Sequence, residues 1–269
     1  MHDIDWNARW LARRRQRSCK GKGPRDWDRK AASFAKRNRS SSYVDNLITY
    51  IDPAAGQTIL DVGAGPGTLA IPLARMVKRV TAVDYSPTML EILRNEAAQQ
   101  QITNISAVQA AWEDDWRLHN ISRHDFAIAS RSLSVDDLQS ALEKLNSYAT
   151  QKIFITDRVG PGPFDPDVFA AVGRKLDPGP DYIYTYNLLH QMGIYARVDF
   201  LDAEYCRTYH TRREAVDSCI WMLDDLTSAE QKKLDIFLDQ RLRELADGRW
   251  EYVRRHTPRW AVISWDVNS

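Results

Sequence analysis

Three glycines at alternate positions, Gly63, Gly65 and Gly67, lie between an apolar run that reads as a strand, Thr58 to Val62, and a helix-like run, Thr68 to Val77. A glycine-rich turn at such a junction lets a ligand lie against bare backbone, because no Cβ stands in the way. In an open α/β sheet that place, beyond the carboxyl end of a strand, is where ligands bind. Two carboxylates bracket the turn in the sequence. Asp61 stands two residues ahead of the first glycine, and Asp84 ends the next apolar run, Val80 to Val83. An acid about 20 residues beyond the glycines can accept hydrogen bonds from both ribose hydroxyls of an adenosine.

These residues need a scaffold to hold them. Strands are predicted at 58–62, 80–83, 105–110, 126–129 and 152–156, with helical patterns between them. Ser86-Pro87 opens one helix with a capping serine and a proline in its first turn. Ser134-Val135-Asp136-Asp137 opens another that runs to Tyr148, apolar at Leu138, Leu142 and Leu145. Five strand–helix repeats in this order predict a doubly wound parallel sheet. Further on come helices over 167–176 and 184–192, a strand over 196–205 and a last strand over 259–265. Two more helices precede that last strand, with capping-box spacing at Thr211…Glu214 and from Ser228 to Gln231. The expected fold class is α/β, a seven-stranded, mostly parallel sheet with an N-terminal helical arm and helical insertions near the C-terminus.

The glycine spacing separates two uses of such a loop. A dinucleotide turn wants G-x-G-x-x-G/A, whereas here the third glycine comes one position early, at Gly67, and Thr68 follows it. Asp61 also stands where dinucleotide folds usually keep an apolar residue. The stretch Asp61-Val62-Gly63-Ala64-Gly65-Pro66-Gly67 resembles the first motif of the class I S-adenosylmethionine (SAM) methyltransferases. This resemblance implies SAM as cofactor and S-adenosylhomocysteine as product. It implies that Asp61, Gly63, Ala64 and Gly65 cradle the methionine end and that Asp84 holds the ribose. Tyr85, Met89 and Ser130 are the further cofactor contacts it implies, and Met89 could equally be core. Relatives keep an acid just past the third strand for the adenine amino group, but Ala111 stands there. That leaves adenine to backbone near Trp112, to the Trp112 face or to Glu113, unless Glu113 is a plain surface acid. The family also covers the pocket with a helix ahead of the first strand, for which Phe34 and Tyr43 are the aromatic candidates. The resemblance divides the chain into a basic helical arm or lid (1–44), a SAM-binding core (45–160) and a remainder with helical substrate-lid insertions (161–269).

A sulfonium methyl donor is already a strong electrophile, so the protein's task is alignment and exclusion of water. A general base is needed only for an acceptor such as a hydroxyl. The candidates for work on the acceptor are Tyr43, Arg131 and His190. Arg131 follows the fourth strand, where methyltransferases of exocyclic amines carry Asn/Asp-Pro-Pro-Tyr/Phe; here the sequence reads Ser130-Arg131-Ser132. Arg131 could grip a carboxylate or phosphate bidentately, or pair with Asp136 or Asp137 and brace the loop. His190 with Tyr184, Tyr186 and Tyr195 could supply a base or an aromatic wall, and such a wall can hold a cationic amine.

The net charge of +1 hides an asymmetry: residues 1–40 carry thirteen Lys/Arg against four Asp. The basic block over residues 9–39 could bind phosphates, or fold onto the acidic body of its own chain or of a homodimer mate. Three scattered cysteines, Cys19, Cys206 and Cys219, have no metal-site spacing, so no metal is expected. No apolar run reaches the ~20 residues that span a bilayer, and no signal-peptide pattern opens the chain, so a cytoplasmic protein without a membrane partner is expected. The leading expectation is methyl transfer to a small-molecule acceptor. The alternatives are an RNA or DNA methyltransferase that uses the basic arm, and a SAM-binding protein without catalysis.

Overall fold

Residues buried on both faces of a parallel sheet read as continuous apolar runs rather than alternating ones, and four such runs build the centre of this protein. In a computed structural model that describes residues 4–18, 42–202 and 208–267, the first is β1 (Thr58–Val62), buried from Ile59 onward. Beside it run β2 (Arg79–Asp84), β4 (His124–Ser130) and β5 (Ala149–Arg158). With β3 (Ile105–Gln109), β6 (Arg197–Asp202) and β10 (Arg259–Asp266) they form one seven-stranded sheet in the order β3-β2-β1-β4-β5-β10-β6. Only β10 runs against its neighbours, pairing Ile263 with Ile155 on one side and with Val198 on the other. The strand order reverses at β1, so a crevice opens between the carboxyl ends of β1 and β4.

Helices cover both faces. On one face α2 (Ser42–Ile51), α3 (Ala70–Ala74) and α4 (Pro87–Gln99) pack Leu47, Leu73 and Leu93 against Ile59, Ile128 and Phe154. On the other, α1 (Trp6–Gln16), α5 (Leu138–Tyr148) and α7 (Tyr182–Gln191) pack Trp10, Leu142 and Leu188 against Leu60, Ala127 and Ile153. The cap of α5 is Asp137, whose carboxylate accepts from Ser140 N, rather than Ser134. Ser134 belongs to the loop instead.

The basic N-terminal helix folds onto its own chain. Trp10 is buried and its indole N–H donates to Val135 O at 2.8 Å. Arg13 pairs with Asp177 at 2.5 Å and Arg14 with Asp136 at 3.2 Å. Phe34, with residues 19–41 of the basic block, lies outside the described residues, as do Cys19 and Cys206.

The insertion between β6 and β10 is mixed, not purely helical. Its helices α8 (Arg212–Ile220) and α9 (Ser228–Asp239), joined by α6 (Pro166–Ala171) from the segment after β5, share a core of Phe169, Cys219, Leu234 and Tyr252 with a small antiparallel sheet. That sheet has the order β7-β9-β8, from Thr208–Tyr209, Trp250–Tyr252 and Leu242–Glu244. Strands of two or three residues carry too little alternation to read from sequence. The capping box of α9 is Thr227 with Glu230, one residue ahead of the expected Ser228. A buried ionic knot ties this unit to the 160s loop. Asp165 accepts from Tyr252 Oη at 2.7 Å and faces Arg254 Nε at 3.3 Å, with side chains only 1% and 4% exposed. Burial and the adjoining Asp165 push the Tyr252 hydroxyl well above the ordinary tyrosine range.

Candidate active site

The glycine loop is held from below by β2. The amides of Gly63 and Ala64 both donate to Val83 O, at 2.8 and 3.0 Å. The Asp84 carboxylate then accepts from Gly65 N at 2.8 Å with one oxygen and from Ser86 N at 2.9 Å with the other. Ser86 in turn caps α4, accepting from Met89 N at 3.1 Å. Gly63 has φ +74° and touches the β4 loop: a Cβ on it would meet Ser132 Cβ at 2.3 Å. Gly65 also has a left-handed φ, +56°, but a Cβ there would project into open space. One glycine therefore serves packing, while the other leaves room above the loop.

Around that room lies a cleft. Its floor is the loop from Val62 to Gly65, with Thr68 and Leu69 behind it. Asp84, Tyr85 and Met89 form one wall, and Ala110 and Trp112 continue it. Opposite stand Ser130, Arg131, Ser132 and Ser134. Trp112 is fixed by its indole N–H donating to Ser132 O at 3.2 Å, which bridges the two walls. Ser132 closes the circuit by donating from Oγ to Val62 O at 2.6 Å.

Asp61 is the unusual member. It is buried, and its Oδ2 has no hydrogen-bond partner among the described residues. Burial first, and the Asp84 charge second, push its carboxyl up to about 7, against a hydrogen bond from the Ala70 backbone. A second buried carboxyl, Asp157 at the end of β5, is pushed up to about 6 by burial and accepts from Thr185 Oγ1 at 3.2 Å.

The other expected residues fall in different places. Glu113 is exposed and does not line the cleft. The Ala111 amide behind it is taken by Asp114 Oδ2 at 2.8 Å. Tyr43 is buried beneath the β4 loop rather than over the cleft, its hydroxyl 2.6 Å from both Ser130 Oγ and Thr156 Oγ1. Arg131 lies over the Tyr43 ring at 4.3 Å; Asp136 is instead engaged by Arg14, and Asp137 by Ser140 and Asn7. His190 sits in the last turn of α7, exposed against Tyr195. Because α7 leads into the start of β6, His190 lies at the amino ends of the strands, away from the glycine loop. Tyr184 packs on Trp6 and Tyr182 on Phe200, so these rings brace α7 and do not wall the cleft. Thr68, Ser132 and Ser134 line the cleft without any motif to announce them; only their adjacency to the glycine loop and to Ser130 could have suggested them.

The residues present suit SAM. An unpartnered, buried carboxylate oxygen can take an ammonium, open space above a bare glycine can take the methionine chain, and a carboxylate at the strand tip can accept from hydroxyls. Among the described residues no group of His, Cys, Asp and Glu could hold a metal ion. Cys219 is buried, with its thiol pushed up to about 12, and among the described residues no helix is long and apolar enough to cross a membrane.

Comparison with known proteins agrees with this geometry. Residues 59–151 match the methyltransferase domain family. An uncharacterized protein of Haemophilus influenzae is 32% identical over 248 residues, which are 91% of this chain and 90% of that one. The ubiquinone/menaquinone biosynthesis C-methyltransferase of Zymomonas mobilis is 29% identical over 105 residues, 37% of this chain and 41% of that protein. A 23S rRNA (uracil-C5) methyltransferase of Aliivibrio fischeri is 28% identical over 79 residues, 29% of this chain and 18% of that protein. Among solved structures, a methyltransferase from Bacillus halodurans superposes with a TM-score of 0.56 at 14% identity, covering 83% of this chain and 98% of that one. A SAM-dependent methyltransferase from Aquifex aeolicus gives 0.50 at 19%, covering 66% and 92%. At such identities the superpositions speak to fold alone. The sheet order, the glycine loop with its two carboxylates and the matched domain together identify the chain as a member of the class I SAM-dependent methyltransferases.

Proposed function

We propose that this enzyme methylates a small molecule that enters beside the Ser130–Ser134 loop. The observation that carries the reading is the engagement of α1 with that loop. Trp10 donates to Val135 O, and Arg14 donates to Ser134 O at 3.1 Å while pairing with Asp136. The described part of the basic arm thus spends charge on its own chain and narrows the approach to Ser134, which favours a compact acceptor over a polynucleotide.

The roles of the residues follow from their chemistry. Asp61 accepts the donor's ammonium at its unpartnered oxygen, which stabilises the ionised form of a carboxyl that burial otherwise disfavours. Asp84 keeps its bonds to the Gly65 and Ser86 amides and is the acid that accepts from the ribose hydroxyls. Gly65 leaves the donor's methionine chain in contact with backbone. Tyr85, Met89 and Trp112 cover the adenine with apolar surface, and Glu113 takes no part. Bound SAM supplies a methyl group on a positively charged sulfur. Ser130, Ser132 and Ser134 line the opposite wall, where an acceptor atom can be held in line with that methyl group and shielded from water. We further assign the segment 1–44 to the cover of the cleft and 45–160 to SAM binding, with action in the cytoplasm.

The test is S-adenosylhomocysteine release from SAM with a panel of phenols, amines, thiols and acids beside ribosomal and transfer RNA. Turnover with one small-molecule class and none with RNA is expected. The rival reading uses residues 9–39 on phosphates; RNA turnover, with affinity falling steeply as salt rises, would replace the proposal.

A further inference from the structure

Of the charged residues that line the cleft among the described residues, two are carboxylates, Asp61 and Asp84, and one is a cation, Arg131. Its setting is built. The Arg131 backbone is left-handed at φ +56°, an unfavourable conformation for a residue with a Cβ. It is pinned there by its own amide, which donates to Thr156 O at 3.0 Å and Thr156 Oγ1 at 3.1 Å. The guanidinium lies over the Tyr43 ring at 4.3 Å and near the Trp260 ring at 5.5 Å. Tyr43 is itself immobilised by its two short hydroxyl bonds to Ser130 and Thr156. Among the described residues the guanidinium has no carboxylate and no hydrogen-bond acceptor.

A guanidinium stacked by its face keeps its five N–H donors in the plane, where they form the fork that matches a carboxylate edge-on. Aromatic stacking removes water from the face and leaves the edge to be satisfied. Holding the fork rigid in advance lowers the ordering cost when an anion arrives. This explains the buried tyrosine and the left-handed backbone together: both fix the orientation of Arg131, and neither has chemistry of its own.

We propose that Arg131 is the carboxylate-binding side chain of the cleft, resting on the reading that SAM and its acceptor meet there. Two carboxylates can reach it, the amino-acid tail of the donor and an acid group on the acceptor. The charge count favours the tail, since Asp61 and Arg131 complement the two charges of an amino acid.

Calorimetric titration of S-adenosylhomocysteine and of 5′-methylthioadenosine, which lacks the tail, into wild-type, Arg131→Gln and Arg131→Gly protein separates the sources. Arg131→Gly also relaxes the left-handed backbone, so a binding loss common to both variants does not stem from strain. Loss of about tenfold or more for S-adenosylhomocysteine, with methylthioadenosine unchanged, assigns Arg131 to the donor tail, in keeping with a charge-assisted fork. If both nucleosides are unchanged, benzoate is titrated into the S-adenosylhomocysteine complex, and benzoate binding lost in both variants assigns Arg131 to an acceptor acid. Equal losses for the two nucleosides, or unchanged nucleosides with no Arg131-dependent benzoate binding, overturn the proposal. Wild-type protein that binds neither nucleoside refutes the SAM reading instead, and benzoate titrated into that free protein still decides whether Arg131 takes a carboxylate.

Discussion

The Asp84 carboxylate accepts the Gly65 amide hydrogen at 2.8 Å, so the tip of β2 holds the glycine loop in shape as well as facing the cleft. The acid proposed here to bind the ribose is therefore also structural. Asp84→Ala leaves the Gly65 and Ser86 amides without their acceptor, at about 1–3 kcal/mol for each buried donor. Both the melting temperature and the affinity for S-adenosylhomocysteine should fall. Asp84→Asn keeps one carbonyl oxygen and should retain more stability than affinity. Calorimetry beside a thermal melt reads both, and wild-type affinity in Asp84→Asn would remove Asp84 from the ribose.

The two cleft glycines should respond differently. A Cβ on Gly65 meets nothing within 4 Å, so Gly65→Ala costs only the left-handed backbone, about 1–2 kcal/mol. The methyl group then occupies the space above the loop, and S-adenosylhomocysteine affinity should drop by more than the stability does. Gly63→Ala drives a Cβ to 2.3 Å from Ser132 Cβ and should impair folding outright. A folded Gly63→Ala protein of ordinary melting temperature would contradict the packing.

Asp61 should make both stability and binding depend on pH. Burial pushes its carboxyl up to about 7 in the folded chain from an ordinary value of 3.8. Between those values the folded state holds a proton that the unfolded state has lost, so stability falls as pH rises from about 4 to about 7 and then levels. Asp157, pushed up to about 6 for the same reason, adds a slope of the same sign below pH 6. An ammonium seated at Asp61 Oδ2 favours the ionised form, so S-adenosylhomocysteine affinity should climb over the window in which stability falls. Asp61→Asn should flatten the affinity profile and leave the Asp157 part of the stability profile. An affinity that is level with pH in the wild type would mean that no ammonium sits there.

What the sequence made legible was whatever depends on neighbours along the chain. The strand before Gly63, the acid at Asp84 and the proline-led helix after Ser86 are each set by a few adjacent residues, and they stand where local pattern predicts. The sheet followed from repetition of that unit. Tyr43, Glu113 and His190 depend on which way a side chain turns once distant elements meet, and no local pattern carries that. Tyr43 faces under β4 because Thr156, more than a hundred residues later, offers its hydroxyl. His190 is remote because α7 crosses the whole face of the sheet before β6 begins. Ser132 and Ser134 were hidden because serine in a loop is common and only the closeness of Gly63 gives one of them its place.

The α1 cover can be tested apart from the cofactor. Trp10 is 3% exposed and bonds Val135 O through its indole, so Trp10→Ala should destabilise by about 3–5 kcal/mol. Arg14 is a milder handle: Arg14→Ala removes bonds to Ser134 and Asp136 at the cleft loop, where the Asp136 end of the pair is exposed and the ion pair is worth about 1 kcal/mol. Because Ser134 faces the acceptor side, Arg14→Ala should raise KM for the acceptor found in the S-adenosylhomocysteine-release assay. The KM for SAM should stay within about a factor of two, since no cofactor wall moves. A change in the SAM value alone would mean that α1 covers the donor, and unaltered kinetics would make the helix a brace for α5 and α7 with no part in the cleft.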